Sequence, residues 1–165
     1  MGIIAAVTTH RSFPLTKLLY VLIFLHCTIL CVGGKFTYAE VPIGFWVQDL
    51  LGQARNNYDR LGHLFQGFVP AIIAREILIR KKVINGKGWL FFLVTCICVS
   101  LSVIYELIEG GTALLTGDGA EAFLGTQGDV WDTQWDMFLA LIGALLALTF
   151  FSHFHDAQLK KMKII

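Results

Sequence analysis

Four apolar stretches punctuate the chain, each bounded by charged or glycine-rich sequence: Leu18 to Gly34, Leu61 to Ala74, Trp89 to Tyr105 and Met137 to His153. The first, third and fourth approach the ~20 apolar residues that a hydrocarbon core demands of a helix. The second has only 14 residues between Arg60 and Arg75 and contains His63 and Gln66. Its flanks, Tyr58, Arg75, Glu76 and Arg80, extend it, because such side chains reach the interface while their stems stay in apolar surroundings. The pattern predicts an all-α polytopic membrane protein: a four-helix transmembrane bundle with two longer extracytoplasmic loops. We place it in a single integral domain, residues 1–165, with spans at about 15–34, 59–79, 89–109 and 135–154.

Composition points the same way. Of 165 residues, 56% are hydrophobic and 15% charged, with a mean hydropathy of +0.67, too apolar for a soluble domain whose helices each need a polar face. A net charge of +1 argues against nucleic acid as a partner. Arg11 and Lys17 precede the first apolar run, as basic residues precede a secretory signal. That run nevertheless ends Cys31-Val32-Gly33-Gly34 with no Ala-x-Ala-like site and exceeds a usual signal core, so we expect it to remain as a membrane anchor.

The distribution of charge orients the bundle. With four spans, the N-terminus, the 75–88 connection and the C-terminal tail share one side and carry ten Lys/Arg against Glu76 and Asp156. The other side carries Lys35, Arg55 and Arg60 against ten carboxylates. The positive-inside rule then puts both termini in the cytoplasm, and an odd number of spans would mix the two sets. The basic 80–88 connector is short and meets anionic headgroups. Residues 41–47, rich in aromatic and apolar side chains, are expected to lie in the membrane interface. The second outer loop, 110–135, holds six glycines and no Lys or Arg, and is patterned enough to be functional. Cys27, Cys31, Cys96 and Cys98 all fall within spans and read as small packing residues, since a Cys-x-Cys on a helix turns its sulfurs to different faces.

Carboxylates cluster at the outer span ends. Asp59 and His63 are one helical turn apart, Glu106 and Glu109 likewise, and Asp129, Asp132 and Asp136 follow at i, i+3 and i+7 if the fourth helix begins near 129. The glutamates continue a weakly polar stripe through Ser102 and Thr95. Asp132 and Asp136 continue into Ala140, Gly143, Ala144 and Ala147, small residues that let another helix approach. Asp59 and Asp132 at helix N-termini would complement the dipole. Glu106 and Glu109 at a C-terminal end would not, and charge at membrane depth costs at least ~2.5 kcal/mol near the centre, which marks such groups as functional candidates.

Several carboxylates in one pocket need a compensating cation or shared protons. Oxygens with one imidazole suit Mg, Mn, Fe or Zn, so Asp59, His63, Glu106, Glu109, Asp129, Asp132 and Asp136 form the candidate metal set, with Asp59, Glu106 and Asp136 as candidate catalytic groups. Arg55 and Arg60 offer the competing outcome of a structural ion-pair network. His26, alone mid-span, and His153 and His155, on the cytoplasmic side, are weaker candidates.

The run Phe123-Leu124-Gly125-Thr126-Gln127-Gly128-Asp129-Val130-Trp131-Asp132-Thr133-Gln134-Trp135-Asp136, with Asp59-Arg60-Leu61-Gly62-His63 and Tyr105-Glu106-Leu107-Ile108-Glu109, resembles the YjdF-like family of small bacterial inner-membrane proteins over almost the whole chain. One departure is Gly110-Gly111 where a bulky aromatic is expected, which should loosen the helix end there. A more distant likeness is to VanZ-like membrane proteins. It maps onto Asp59 and His63, Glu106 and Glu109, Asp132 and Asp136, then Gly143, without the arginine that precedes the last motif in that group. These resemblances imply a bacterial inner-membrane location and no reaction.

Three function classes stay open. The first is a metal-dependent envelope enzyme acting on a lipid-linked or headgroup substrate; no Gly-x-Ser-x-Gly motif supports covalent catalysis. The second is a cation or proton translocator, or a subunit of one, which with four helices would need a homo-oligomer. The third is a non-catalytic assembly partner.

Overall fold

The computed structural model describes residues 10–116 and 126–165, and its elements there are helical. They are α1, Lys17–Lys35; α2, Pro42–Leu51; α3, Tyr58–Arg80; α4, Lys87–Thr116; α5, Asp132–Leu146; and α6, Ser152–Lys161, joined to α5 by a π-helical turn at Ala147–Phe151. Four stretches are long and apolar enough to cross a membrane: Lys17–Lys35, Tyr58–Arg80, Lys87–Leu115 and Asp132–Lys161. The protein is therefore the all-α, four-span architecture that its apolar pattern implies.

The least apolar span is the central one. α3 has a mean hydropathy of 1.2 against 1.9 to 2.3 for the others, yet half of it is buried. Neighbouring helices shield its polar groups from lipid, which is how a span can carry His63, Arg75 and Glu76 at tolerable cost. Pro70 sits inside α3 without ending it, as packed membrane helices allow.

Glycines bring α3 and α5 together. A Cβ at Gly67 would overlap the Ala140 carbonyl, and one at Gly143 would overlap the Leu64 carbonyl. Only hydrogen at these positions lets the two backbones meet, the small-residue mode of membrane helix packing. This contact, continued by the buried Ala140 and Ala144, fixes Asp59 and His63 beside Asp132 and Asp136. Below them an apolar layer of Leu19, Leu22, Val69, Ile72, Val94, Cys98, Ala144 and Leu148 fills the bundle.

Two local features depart from expectation. Residues 42–51 form a short helix, with Pro42 at its first turn, where a missing N–H costs nothing, and Gly52 closing it at φ 60°. Gly110-Gly111 does not loosen the end of α4, which runs on to Thr116. Neither glycine packs against another element, so tertiary contacts neither require nor oppose the helix there, and Thr112 Oγ1 donates to the Ile108 carbonyl at 2.8 Å within it.

The π turn decides which side chains of α6 face inward. One extra residue in the turn delays the buried stripe by about 100°. After Ala140, Gly143 and Ala147, whose stripe an uninterrupted helix would continue at 154 and 158, it resumes one residue later at His155 and Leu159, both wholly buried, and leaves Phe154 exposed.

Candidate functional site

Helix periodicity places Asp59 and His63 on one face of the first turns of α3, where α4 brings Glu106 and Glu109 and α5 brings Asp136. His63 is the hub. Its Nε2 lies 3.6 Å from Asp59 Oδ1 and 3.8 Å from Asp136 Oδ2, while Nδ1 lies 3.6 Å from Glu106 Oε1. Asp59, His63 and Asp136 can offer donor atoms within 4.8 Å of one another, and so can His63, Glu106 and Glu109. The Tyr105 ring meets the imidazole edge-on at 5.8 Å.

These contacts are too long for hydrogen bonds. Buried atoms here lack any partner: His63 Nδ1, Glu106 Oε1, Asp136 Oδ1 and Ser102 Oγ. The side chains of His63 and Asp136 are each only 5% exposed, so water does not readily compensate them. Leaving such groups unpaired is costly. Two donors bound to one metal at about 2.1 Å, near a tetrahedral angle, stand roughly 3.4 Å apart. The separations around Nε2 exceed that by a few tenths of an ångström and all three donor atoms lie within 4.8 Å of one another, so a cation among Asp59, His63 and Asp136 fits once the three side chains draw in around it. Glu106 then faces the other ring nitrogen, where accepting Nδ1–H would leave the Nε2 lone pair for a metal.

Asp129 and Asp132 are held differently. Arg55 Nη1 donates to Asp132 Oδ1 at 2.6 Å, and Arg60 Nη2 donates to Asp129 Oδ2 at 2.7 Å. α5 begins at Asp132, so Asp129 lies in the preceding turn, where its Oδ1 accepts the Trp131 N–H at 2.9 Å. Asn56 and Gln127 lock the same loop: Asn56 N donates to Gln127 Oε1 at 3.1 Å, and Gln127 Nε2 returns a bond to the Asn56 carbonyl at 2.9 Å. Of the seven candidate residues, four carboxylates converge on His63 and two are bound in arginine pairs. Residues 117–125, the middle of the loop with the expected outer-side acids Asp118 and Glu121, lie outside the described residues.

Tyr38 gave no motif signal and sits at the same end. Its ring packs between Gly33 of α1, where a Cβ would overlap it, and Gly62 of α3, beside His63. Burial, followed by Tyr105, Asp59 and Glu109, pushes its phenol well above the usual range, so the hydroxyl keeps its proton. The only available signal was glycine spacing, which by itself names no partner.

The opposite end carries a satisfied polar network that the motifs also did not single out. Glu76 Oε2 accepts from Thr16 Oγ1 at 2.9 Å and pairs with His155 Nε2 at 3.0 Å, while Glu76 Oε1 accepts from Arg80 at 2.9 Å. Arg75 Nη1 is 2.9 Å from His155 Nδ1, and Nη2 is 2.6 Å from Asp156 Oδ1. Because arginine only donates, Nδ1 must accept and Nε2 carries the proton toward Glu76. A chain of filled bonds tying the N-terminal segment to α3 and α6 is a structural clasp.

Four apolar spans around a buried carboxylate–histidine cluster define an integral, multi-pass membrane protein. The chain belongs to the family described as "Predicted membrane protein (DUF2238)", whose sequence profile matches residues 1–157. It is 57% identical over 157 residues to the inner membrane protein YjdF of Escherichia coli (strain K12), an alignment covering 95% of this chain and 75% of that protein. No solved structure matches the chain. The YjdF-like resemblance is borne out, and the protein is an integral inner-membrane protein whose surroundings are the lipid bilayer.

Proposed function

We propose that this single integral domain is a metal-dependent enzyme working on the headgroup of a lipid-linked substrate at the extracytoplasmic face of the inner membrane, with both termini in the cytoplasm. The observation that carries the metal is the convergence of Asp59, His63 and Asp136, buried and without hydrogen bonds between them. Asp59, His63 Nε2 and Asp136 hold the cation, which supplies Lewis acidity toward a phosphoryl or acyl oxygen. Glu106 orients the imidazole through Nδ1, and Glu109, the remaining carboxylate of the cluster, moves a proton. The positive-inside charge distribution supports the orientation. The apolar layer between the two polar ends favours an enzyme over a cation or proton translocator, which would need a wet path through it.

Elemental analysis of the purified protein tests the metal directly. Wild type and Asp132→Ala should each carry close to one divalent ion per chain after incubation with Zn or Mn. Asp59→Ala, His63→Ala and Asp136→Ala should each lose it by tenfold or more. A folded wild-type protein that takes up neither metal overturns the reading and leaves partner binding as the role of the cluster.

A further inference from the structure

We infer that Tyr38 is a ligand-binding residue of the carboxylate–histidine site, donating its phenolic hydrogen to an oxygen of a cation-held phosphate group; this rests on the metal reading above. The backbone is bent to present this side chain. Thr37 and Tyr38 have φ 54° and 51°, two successive non-glycine residues in the left-handed region, each at a cost of about 1 kcal/mol or more. The bend is pinned by Tyr38 N donating to the Gly33 carbonyl at 2.8 Å and Ala39 N to the Thr37 carbonyl at 2.5 Å. The ring occupies the slot between Gly33 and Gly62, the latter directly preceding His63.

Packing alone would be served by phenylalanine, and because Tyr38 is half-buried its hydroxyl is within reach of a ligand. Tyr58 gives its hydroxyl to the Ile29 carbonyl at 3.1 Å, and the Tyr20 hydroxyl accepts the Leu15 N–H at 3.2 Å. Among the described residues neither Tyr38 nor the exposed Tyr105 has such a partner, and the Tyr38 phenol sits in the field of Asp59, Glu109 and Tyr105. A donor without a partner, beside a three-donor cation site with positions still open, is complementary to a tetrahedral oxyanion: one oxygen on the metal, another on the phenol. Arg60, whose buried Nε also lacks a partner, adds positive charge at this end. On α4, Leu107 and Ile108 are exposed in sequence between and beside Glu106 and Glu109, so acyl chains can lie against the same helix. The shared chemistry is a phosphate group, either free or as the headgroup of a lipid.

The test compares wild type, Tyr38→Phe and Gly33→Ala in neutral detergent. Metal content is measured first, followed by calorimetric titration with inorganic phosphate and, separately, with short-chain phosphatidic acid. Tyr38→Phe keeps the ring in its slot and should retain the metal while binding at least one probe tenfold more weakly. Gly33→Ala, which displaces the ring, should show the same loss. The probe affected identifies the source, free phosphate or lipid headgroup. Unchanged affinity for both probes in Tyr38→Phe overturns the inference and leaves the metal site standing, as does metal-loaded wild type that binds neither probe. Loss of the metal in Tyr38→Phe also overturns it, by making the phenol part of cation binding. Wild type without metal removes the proposed function and this inference with it.

Discussion

Gly143→Ala is the sharpest test of how the site is assembled. The new methyl group would overlap the Leu64 carbonyl and crowd the Phe68 amide, both main-chain atoms of α3 that cannot rotate aside. Restoring a carbon–oxygen separation near 3.5 Å requires α3 and α5 to part by roughly 1 to 1.5 Å. Overpacking of that kind costs about 1–3 kcal/mol, or about 2–12 °C in melting temperature for a chain of this size. The same movement carries Asp136, two turns up α5, away from His63, where the 3.8 Å separation leaves no slack for shared ligation. Thermal unfolding in detergent followed by fluorescence should therefore show a lower midpoint together with weakened metal uptake. Gly110→Ala is the control: its Cβ would meet nothing within 4 Å, so helix propensity should leave stability unchanged or raise it by up to ~1 kcal/mol. A Gly143→Ala protein that melts with wild type and binds metal equally would refute the close-contact account.

Two further outcomes follow from the polar clusters. Arg55→Ala strands the buried Asp132 carboxylate and should destabilise by about 3–5 kcal/mol; Arg55→Ala/Asp132→Ala should recover part of that, and additive losses in denaturant titration would show the pair to be uncoupled. Glu76→Gln removes an acceptor that serves Thr16, Arg80 and His155, costing about 1–3 kcal/mol; it should speed tryptic cleavage at Arg11, and unchanged cleavage would deny the clasp its role.

Much of the fold was legible because lipid imposes a simple rule on the chain. Runs such as 89–105 and 137–153 have few polar groups to satisfy, so length and apolarity suffice to mark them as helices. The acidic pairs were legible for a similar reason, since Asp59/His63 and Glu106/Glu109 repeat at one helical turn and share a face whatever they pack against. Periodicity says nothing, however, about which faces meet. It could not separate Asp136, turned toward His63, from Asp132, bonded to Arg55. Nor could it foresee the π turn that rotates His155 inward, because a one-residue insertion in a continuous apolar helix leaves no break in hydropathy.

By itself, then, the sequence determined the solvent of this protein and the local geometry of its polar pairs, because hydrophobic length and helical pitch are properties of a single segment. The tertiary structure alone decided the membership of the site. Hydrogen-only contacts at Gly67 and Gly143 set the approach of α3 to α5, arginine pairing withdrew Asp129 and Asp132, and a glycine slot delivered Tyr38 from a connecting turn. Each depends on contacts between residues distant in the chain, where packing and charge compensation are settled between helices.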